Sequence, residues 1–268
     1  MPQHKHAKPA PQCDGRDELT SLPSAALPAS IMIATPMYGG QCSGLYVQGL
    51  LLTLQRCQQL GIGVGWSQIT NEALITRARN ELVRLFLASD AELLLFIDAD
   101  QGFDGEAIMA LLAGGHDVVC GVVPRKEINW PAVGRAAAAG ETLGLADHAG
   151  SFALTPVAPG PAVPDALGFV EVRHGGTGVM AIRRRVFETL APHVPRYRAS
   201  AQPDAPLVHE FFATSIDDQG VLLPEDYHFC ALWRRHGGRV FAQTLARFSH
   251  VGNHVHAGDI RKSGASAT

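Results

Sequence analysis

Leu93-Leu94-Leu95-Phe96-Ile97-Asp98-Ala99-Asp100 joins an unbroken apolar run to two carboxylates one residue apart. The run has the length of a buried strand. In an open parallel sheet, ligands bind outside the carboxyl ends of the strands. Two acids at such an end repel each other and lose solvation unless a cation neutralises them. A divalent metal, Mn²⁺ or Mg²⁺, does so by taking one or two carboxylates together with substrate phosphate oxygens. The plainer account is a turn after a strand, since Asp favours turns.

Outward from this point the pattern alternates. Upstream, Ser30 to Ala34 reads as a strand ended by Pro36 and Gly39-Gly40, and Leu45 to Leu60 as a helix stopped by Gly61. Gly63 to Ile69 reads as a second strand, and Asn71 as the N-cap of a helix from Glu72 to about Leu87. Downstream come a helix from Gly105 to Leu112 and a strand from Asp117 to Val123. Phe169 to Arg173 and Val179 to Ile182 read as strands around a glycine-rich turn. A helix from Pro224 to His236 follows, then short strands over Arg239 to Phe241 and Leu245 to Ser249. Strands alternating with helices predict an α/β domain over 30–260: a mostly parallel central sheet flanked by helices, with a small antiparallel region. Residues 134–168, with an alanine run and four prolines, read as a flexible excursion or lid. Residues 1–29 and 261–268 read as mobile tails, with His4 and His6 solvated in the first.

Composition narrows the function classes. The chain has 268 residues, a net charge of -3, 46% hydrophobic and 18% charged residues, enough for one cored domain with decorations or two small ones. This balance argues against general nucleic-acid binding, which needs clustered Lys and Arg. No apolar stretch reaches the roughly 20 residues of a membrane-spanning helix. Arg183-Arg184-Arg185 leaves peripheral contact with anionic lipid open, beside the simpler reading of a solvated helix start. Five scattered cysteines without a CxxC pair, and a polar start without a signal segment, point to a reducing, cytoplasmic setting. No pairing signal indicates an oligomer.

Three further features carry possible chemistry. Glu225 and Asp226 open a helix, where acids favour the macrodipole and where a carboxylate can also serve as a general base. His250 follows a strand and is either structural or a metal ligand. On the helix carrying Leu74, Ala78, Leu82 and Leu85 as its apolar face, Arg79 falls on the shoulder beside Ile75 and Phe86. A guanidinium there either snorkels or meets an acceptor: a nucleotide base, a phosphate or a local carboxylate.

Together these pieces resemble the GT-A nucleotide-sugar glycosyltransferases, especially the large inverting family with many bacterial polysaccharide enzymes. The likeness runs over about residues 31 to 252. Ile33-Ala34-Thr35-Pro36-Met37-Tyr38 resembles the first strand and nucleotide-binding turn. Ala78-Arg79-Asn80 and Leu95-Phe96-Ile97-Asp98-Ala99-Asp100 resemble the helix leading into the DxD strand. Gly176-Thr177-Gly178 and the strand after it resemble the border of the acceptor site. Glu225-Asp226 with Trp233-Arg234-Arg235-His236-Gly237-Gly238 resembles the acidic motif and its helix, and His250 the late metal-binding histidine. The resemblance implies a GT-A Rossmann-like fold and transfer of a sugar from a nucleoside-diphosphate sugar, most commonly UDP-linked, to a glycan or other hydroxyl acceptor. It implies inversion, and the lack of the transmembrane helices and long extension expected of a processive synthase favours one sugar per encounter. Thr35, Pro36, Tyr38, Arg79, Asn80 and Asp98 would then lie along the donor, with Gly176, Thr177 and Gly178 nearby. Asp98, Asp100 and His250 would hold the metal. Asp226, supported by Glu225, would deprotonate the acceptor. Gly39-Gly40 and Pro124-Arg125-Lys126-Glu127-Ile128-Asn129-Trp130 depart from the family pattern. Lys126 is placed to meet phosphate there, and Trp130 to stack on a sugar or base. The rival readings are a non-catalytic nucleotide-sugar or glycan-binding protein of the same fold, a DxD phosphatase, and a sugar-nucleotide pyrophosphorylase. The phosphatase pattern expects its motif on the first strand, and the pyrophosphorylase expects a Gly/Arg-rich loop that Pro36 to Ser43 lacks.

Overall fold

The computed structural model describes residues 27–152, 154–157 and 163–263. The first half alternates as β1 (Ser30–Met37), α1 (Gly44–Leu60), β2 (Gly63–Thr70), α2 (Ile75–Leu87), β3 (Leu93–Ile97), β4 (Gln101–Gly102), α3 (Gly105–Leu112) and β5 (Val118–Gly121). Then come α4 (Trp130–Ala138), β6 (Thr155–Pro156), β7 (Phe169–His174), β8 (Val179–Arg183) and α5 (Arg184–Leu190). Two short hairpins follow, β9 (Arg196–Arg198) with β10 (Leu207–His209), and β11 (Ser215–Ile216) with β12 (Leu222–Leu223). The chain closes with α6 (Glu225–Arg235), β13 (Val240–Gln243), β14 (Ser249–Val251), β15 (Val255–His256) and α7 (Ile260–Ser263).

Eight strands form one mixed sheet in the order β2-β1-β3-β8-β5-β13-β7-β6. β1 runs parallel to β2 and β3, and β5 parallel to β13, while β8 is inserted antiparallel between β3 and β5. β1, β3 and β5 therefore end at one edge of the sheet, and β8 begins there. The apolar runs of β1 and β3 are continuous because both faces of the sheet are covered. Alternate residues feed two cores. Met32, Ala34, Leu94 and Phe96 pack with Leu82, Phe86, Phe187 and Phe229; Ile31, Ile33, Leu93, Leu95 and Ile97 pack with Tyr46, Cys57, Ile108 and Leu111. At roughly 1.5–3 kcal/mol for each large side chain buried, these two layers dominate the stabilisation of the sheet.

Local details differ from the sequence reading in four places. Asn71 does not cap α2. It takes a left-handed backbone (φ 60°) at the end of β2, the Glu72 side chain accepts the Leu74 N–H at 3.0 Å, and the helix starts at Ile75. Leu74 is consequently exposed, and Ala78, Leu82, Val83 and Phe86 form the buried face. Part of the expected excursion is regular. Asn129 accepts the Ala132 N–H at 3.1 Å and caps α4, whose body is the alanine run; residues 153 and 158–162 lie outside the described ones. Leu245 to Ser249 is not a strand. The Gln243 side chain accepts the Leu245 N–H at 2.8 Å and donates to the Leu167 carbonyl at 2.8 Å, turning the chain out of the sheet. Ser249 and His250 then pair with β4 instead.

The ends are partly built in. Residues 1–26, with His4 and His6, and residues 264–268 lie outside the described ones. Leu27 packs on a core and the Ala29 N–H donates to Glu92 at 3.0 Å. Arg261, in α7, pairs with the buried Asp259 at 2.6 Å. In the basic run, Arg184 donates to the carbonyls of Phe86, Leu87, Ser89 and Ala91. It thereby satisfies carbonyls at the open end of α2 and just beyond it. Arg185 pairs with Asp117. Among the described residues no helix is long and apolar enough to cross a membrane.

Candidate active site

Asp98-Ala99-Asp100 leaves β3 as a turn fixed from several sides. The Asp98 N–H donates to the Gly178 carbonyl (2.9 Å) and the Gln101 N–H to the Asp98 carbonyl (3.1 Å). The Ser43 N–H donates to the Ala99 carbonyl (2.8 Å) and the Val251 N–H to the Asp100 carbonyl (2.8 Å). Ser43 also caps α1 by accepting the Tyr46 N–H at 3.1 Å, so the N-terminus of a 17-residue helix opens beside the acidic turn. A cleft of about 470 Å³ lies here, with Pro36, Tyr38, Ser43, Ile75, Asp98 and Asp100 in its wall.

Arg79 joins two acids across the fold. Its side chain is 3% exposed; Nη1 and Nη2 donate to the two Asp98 oxygens at 3.1 and 3.2 Å, and Nε donates to Glu225 at 3.2 Å. Burial opposes its charge, but Asp98 and Glu225 more than restore it. The planar guanidinium suits this task because it reaches one carboxylate with a fork and a second with its remaining N–H.

Asp100 points the other way. Its Oδ2 accepts Lys126 Nζ at 2.7 Å and faces His250 Nε2 at 3.2 Å, while Oδ1 accepts Gln101 Nε2 at 3.1 Å. Burial works against its charge, yet the hydrogen bonds from His250 and Lys126 outweigh it and hold the carboxyl well below the usual range. His250 Nδ1 lies 3.0 Å from the Pro124 carbonyl, which can only accept, so Nδ1 carries a proton, and the ring donates to Asp100 through Nε2 only when doubly protonated.

Glu225 and Asp226 form the first turn of α6. Arg79 compensates Glu225. Asp226 accepts the Tyr227 N–H at 2.8 Å and, among the described residues, takes part in no salt bridge. Burial first, and the neighbouring Glu225 charge second, push its carboxyl up to about 6. The glycine-rich turn before β8 lies against it, since a Cβ on Gly176 would sit 3.7 Å from Asp226 Oδ2. Gly175 must lack a side chain because a Cβ there would collide with the Cys120 sulfur.

No protein-family model matches the chain, and no curated protein matches its sequence. Solved structures align with it at TM-scores below 0.5. A197 from STIV aligns at TM-score 0.45 and 15% identity, over 89% of this chain and 97% of that one. GalNAc-T7, solved with UDP, GalNAc and Mn²⁺, aligns at 0.48 and 10% identity, over 84% of this chain and 43% of that one. A glycosyltransferase involved in glycosylation of the major capsid of PBCV-1 aligns at 0.30 and 10% identity, over 62% and 68%. At these scores and identities the likeness transfers no residue role and no activity.

The residues singled out from sequence fall into two groups. Pro36, Tyr38, Asp98 and Asp100 line the cleft, Arg79, Lys126 and His250 are bonded to its acids, and Glu225 is bonded to Arg79. Asp226, Gly176 and Gly178 adjoin them, and Thr177 is buried in the same turn. Three others are engaged elsewhere. The Thr35 hydroxyl is fully buried against Tyr46 (2.5 Å) and Trp66 (3.4 Å). Asn80 clasps the Phe212 backbone, donating to its carbonyl at 2.9 Å and accepting its N–H at 2.8 Å, which takes its amide out of the cleft. Trp130 opens α4 with 67% of its surface exposed and is no part of the cleft wall. Of the three expected metal ligands, Asp100 and His250 meet, whereas Asp98 turns to Arg79. Among the described residues no group of three or more His, Cys, Asp or Glu side chains is arranged for a metal. Sequence reasoning missed Gln101, whose signal was its place directly after the acidic pair. It also missed the Tyr46–Trp66 pair under Thr35 and the His174–Tyr227 stack (4.6 Å) beside Asp226, which have no local signal.

Proposed function

We propose that the chain is a metal-dependent glycosyltransferase. It moves a sugar from a nucleoside-diphosphate sugar, UDP-linked in the first instance, to an acceptor hydroxyl with inversion and one sugar at a time. The observation that carries this reading is the division of labour among four acids at one sheet edge. Arg79 is shared between Asp98 and Glu225, Lys126 holds Asp100 charged, and Asp226, in no salt bridge among the described residues, has its carboxyl pushed up to about 6 by burial and by Glu225. A carboxylate in that range is a competent general base near neutral pH.

The donor set suits Mn²⁺ or Mg²⁺. His250 has one ring nitrogen tied to a backbone carbonyl, as metal-binding histidines do, and its other nitrogen faces the same Asp100 oxygen. One carboxylate and one imidazole leave room for phosphate oxygens and water, the usual complement of these ions. Such an ion supplies positive charge as the diphosphate departs. The α1 N-terminus, which meets the cleft at Ser43, favours an anion there through the helix dipole. Tyr38, 74% exposed at the cleft wall, offers a ring face to the base. Asp226 takes the proton of the acceptor hydroxyl as its oxygen bonds to the anomeric carbon. The bond from that carbon to the diphosphate breaks on the opposite side, which inverts the configuration. Arg79 keeps Glu225 anchored beside the base throughout.

The test is calorimetric titration with UDP, GDP and dTDP, in Mn²⁺ and again in EDTA, on the native chain and on Asp226→Asn. The expected result is Mn²⁺-dependent binding of one nucleotide by both proteins, with sugar transfer lost only in the variant. Full activity in EDTA, or normal turnover by Asp226→Asn, refutes the reading.

A further inference from the structure

We infer that Lys126 is an exchangeable cation: it holds Asp100 while the cleft is empty, yields it to the divalent metal, and binds the donor diphosphate that arrives with that metal. This rests on the metal-dependent donor reading above.

The argument starts from a single oxygen. Asp100 Oδ2 accepts Lys126 Nζ at 2.7 Å and faces His250 Nε2 at 3.2 Å, and Oδ1 is taken by Gln101. A divalent cation shared by Oδ2 and Nε2 would lie about 2 Å from each. The ammonium occupies the space on the same oxygen, and two cations that close together repel strongly. Lys126 must therefore leave when the metal binds. The structure lets it do so without disturbing its loop. The backbone is pinned on either side by Arg125 N–H to the Ser151 carbonyl (2.7 Å) and Asn129 N–H to the Ala149 carbonyl (2.9 Å). The side chain is 45% exposed and rests over Gly252, where a Cβ would lie 3.5 Å from Lys126 Cδ. The ammonium then needs a new anion within reach of Asp100, and the metal-borne diphosphate is that anion. A lysine suits such a change of partner better than an arginine, because a point charge on a flexible stem carries no fixed fork geometry.

The consequence is synergy: metal alone binds weakly because it must displace Lys126, and metal with diphosphate binds well because the displaced ammonium gains a partner. Two titrations test this on the full chain and on Lys126→Met. Mn²⁺ alone is titrated by water-proton relaxation, and UDP by calorimetry at saturating Mn²⁺. Losing a part-exposed ion pair and its repulsion of the metal should tighten Mn²⁺ alone about fivefold in the variant. Losing a charge-assisted phosphate contact should weaken UDP about tenfold. Mn²⁺ affinity that is unchanged or lower in the variant, absence of Mn²⁺ binding by both chains, or unchanged UDP affinity each overturns the exchange. If the native chain binds Mn²⁺ without gaining UDP affinity, the donor reading itself fails. If it shows Mn²⁺-dependent UDP binding and Lys126→Met matches it in both titrations, only the role of Lys126 fails.

Discussion

Asp226→Asn gives a test of the site that needs no substrate. The folded protein raises the Asp226 carboxyl from 3.8 to about 6, chiefly by burial and secondarily by the Glu225 charge. Between those values the folded state keeps a proton that the unfolded chain has released. The native fold is therefore progressively destabilised as pH rises from about 4 to 6, and the cost is constant above that. A rise of this size corresponds to about 3 kcal/mol at neutral pH. Partial solvent access and the new amide's need for its own partners reduce the expected gain on substitution to about 1–2 kcal/mol. At roughly 3 °C per kcal/mol for a chain of this size, Asp226→Asn should melt about 3–6 °C higher than the native protein near neutral pH. Near pH 4 the two should nearly coincide, because the native carboxyl is then protonated and close to the amide in shape.

The assay is thermal or urea unfolding of both proteins across this pH range. A variant that is no more stable near neutral pH, or equally shifted at both ends, shows that Asp226 is not a desolvated, uncompensated acid. The same group sets the activity profile: kcat/KM should fall about tenfold per pH unit below about 6. Gain in stability with loss of turnover is the expected pairing for a residue held in an unfavourable environment for the sake of chemistry.

Three other substitutions separate roles within the cleft. Arg79→Ala leaves the part-exposed Asp98 and Glu225 without their buried partner and should cost about 2–3 kcal/mol in urea unfolding; a cost near zero would mean the two acids do not depend on it. Asn80→Ala should cost about 1–3 kcal/mol, because it strands the Phe212 N–H and carbonyl, and should leave UDP affinity unchanged by calorimetry; a loss of affinity at unchanged stability would return Asn80 to the donor site. Asp100→Ala should remove the difference between Mn²⁺ and EDTA in nucleotide titrations, and a persisting difference would place the metal elsewhere.

What the sequence made legible was whatever backbone geometry fixes locally. The apolar run of β3 ending in two acids marks a strand's carboxyl end by itself, and the helical wheel puts Arg79 at the edge of a buried face. The partner of Arg79 was not legible, because Asp98 and Glu225 stand 19 and 146 positions away. Asn71 shows a subtler limit. An asparagine before a helix-like pattern can cap it or turn the chain left-handed, and here Asn71 turns as β2 ends. Asn80, which the resemblance put along the donor with Arg79, has its amide on the Phe212 backbone, since neighbours on a helix point about 100° apart. The least legible step is the one that completes the site. Val179 to Arg183 reads as an apolar strand in either direction, and only its antiparallel insertion between β3 and β5 delivers Gly176 and Gly178 to the edge where Asp98 ends. Each acid could be found one at a time from its own neighbours; their sorting into two that share Arg79, one held by Lys126 and one in no salt bridge among the described residues is a property of the tertiary fold.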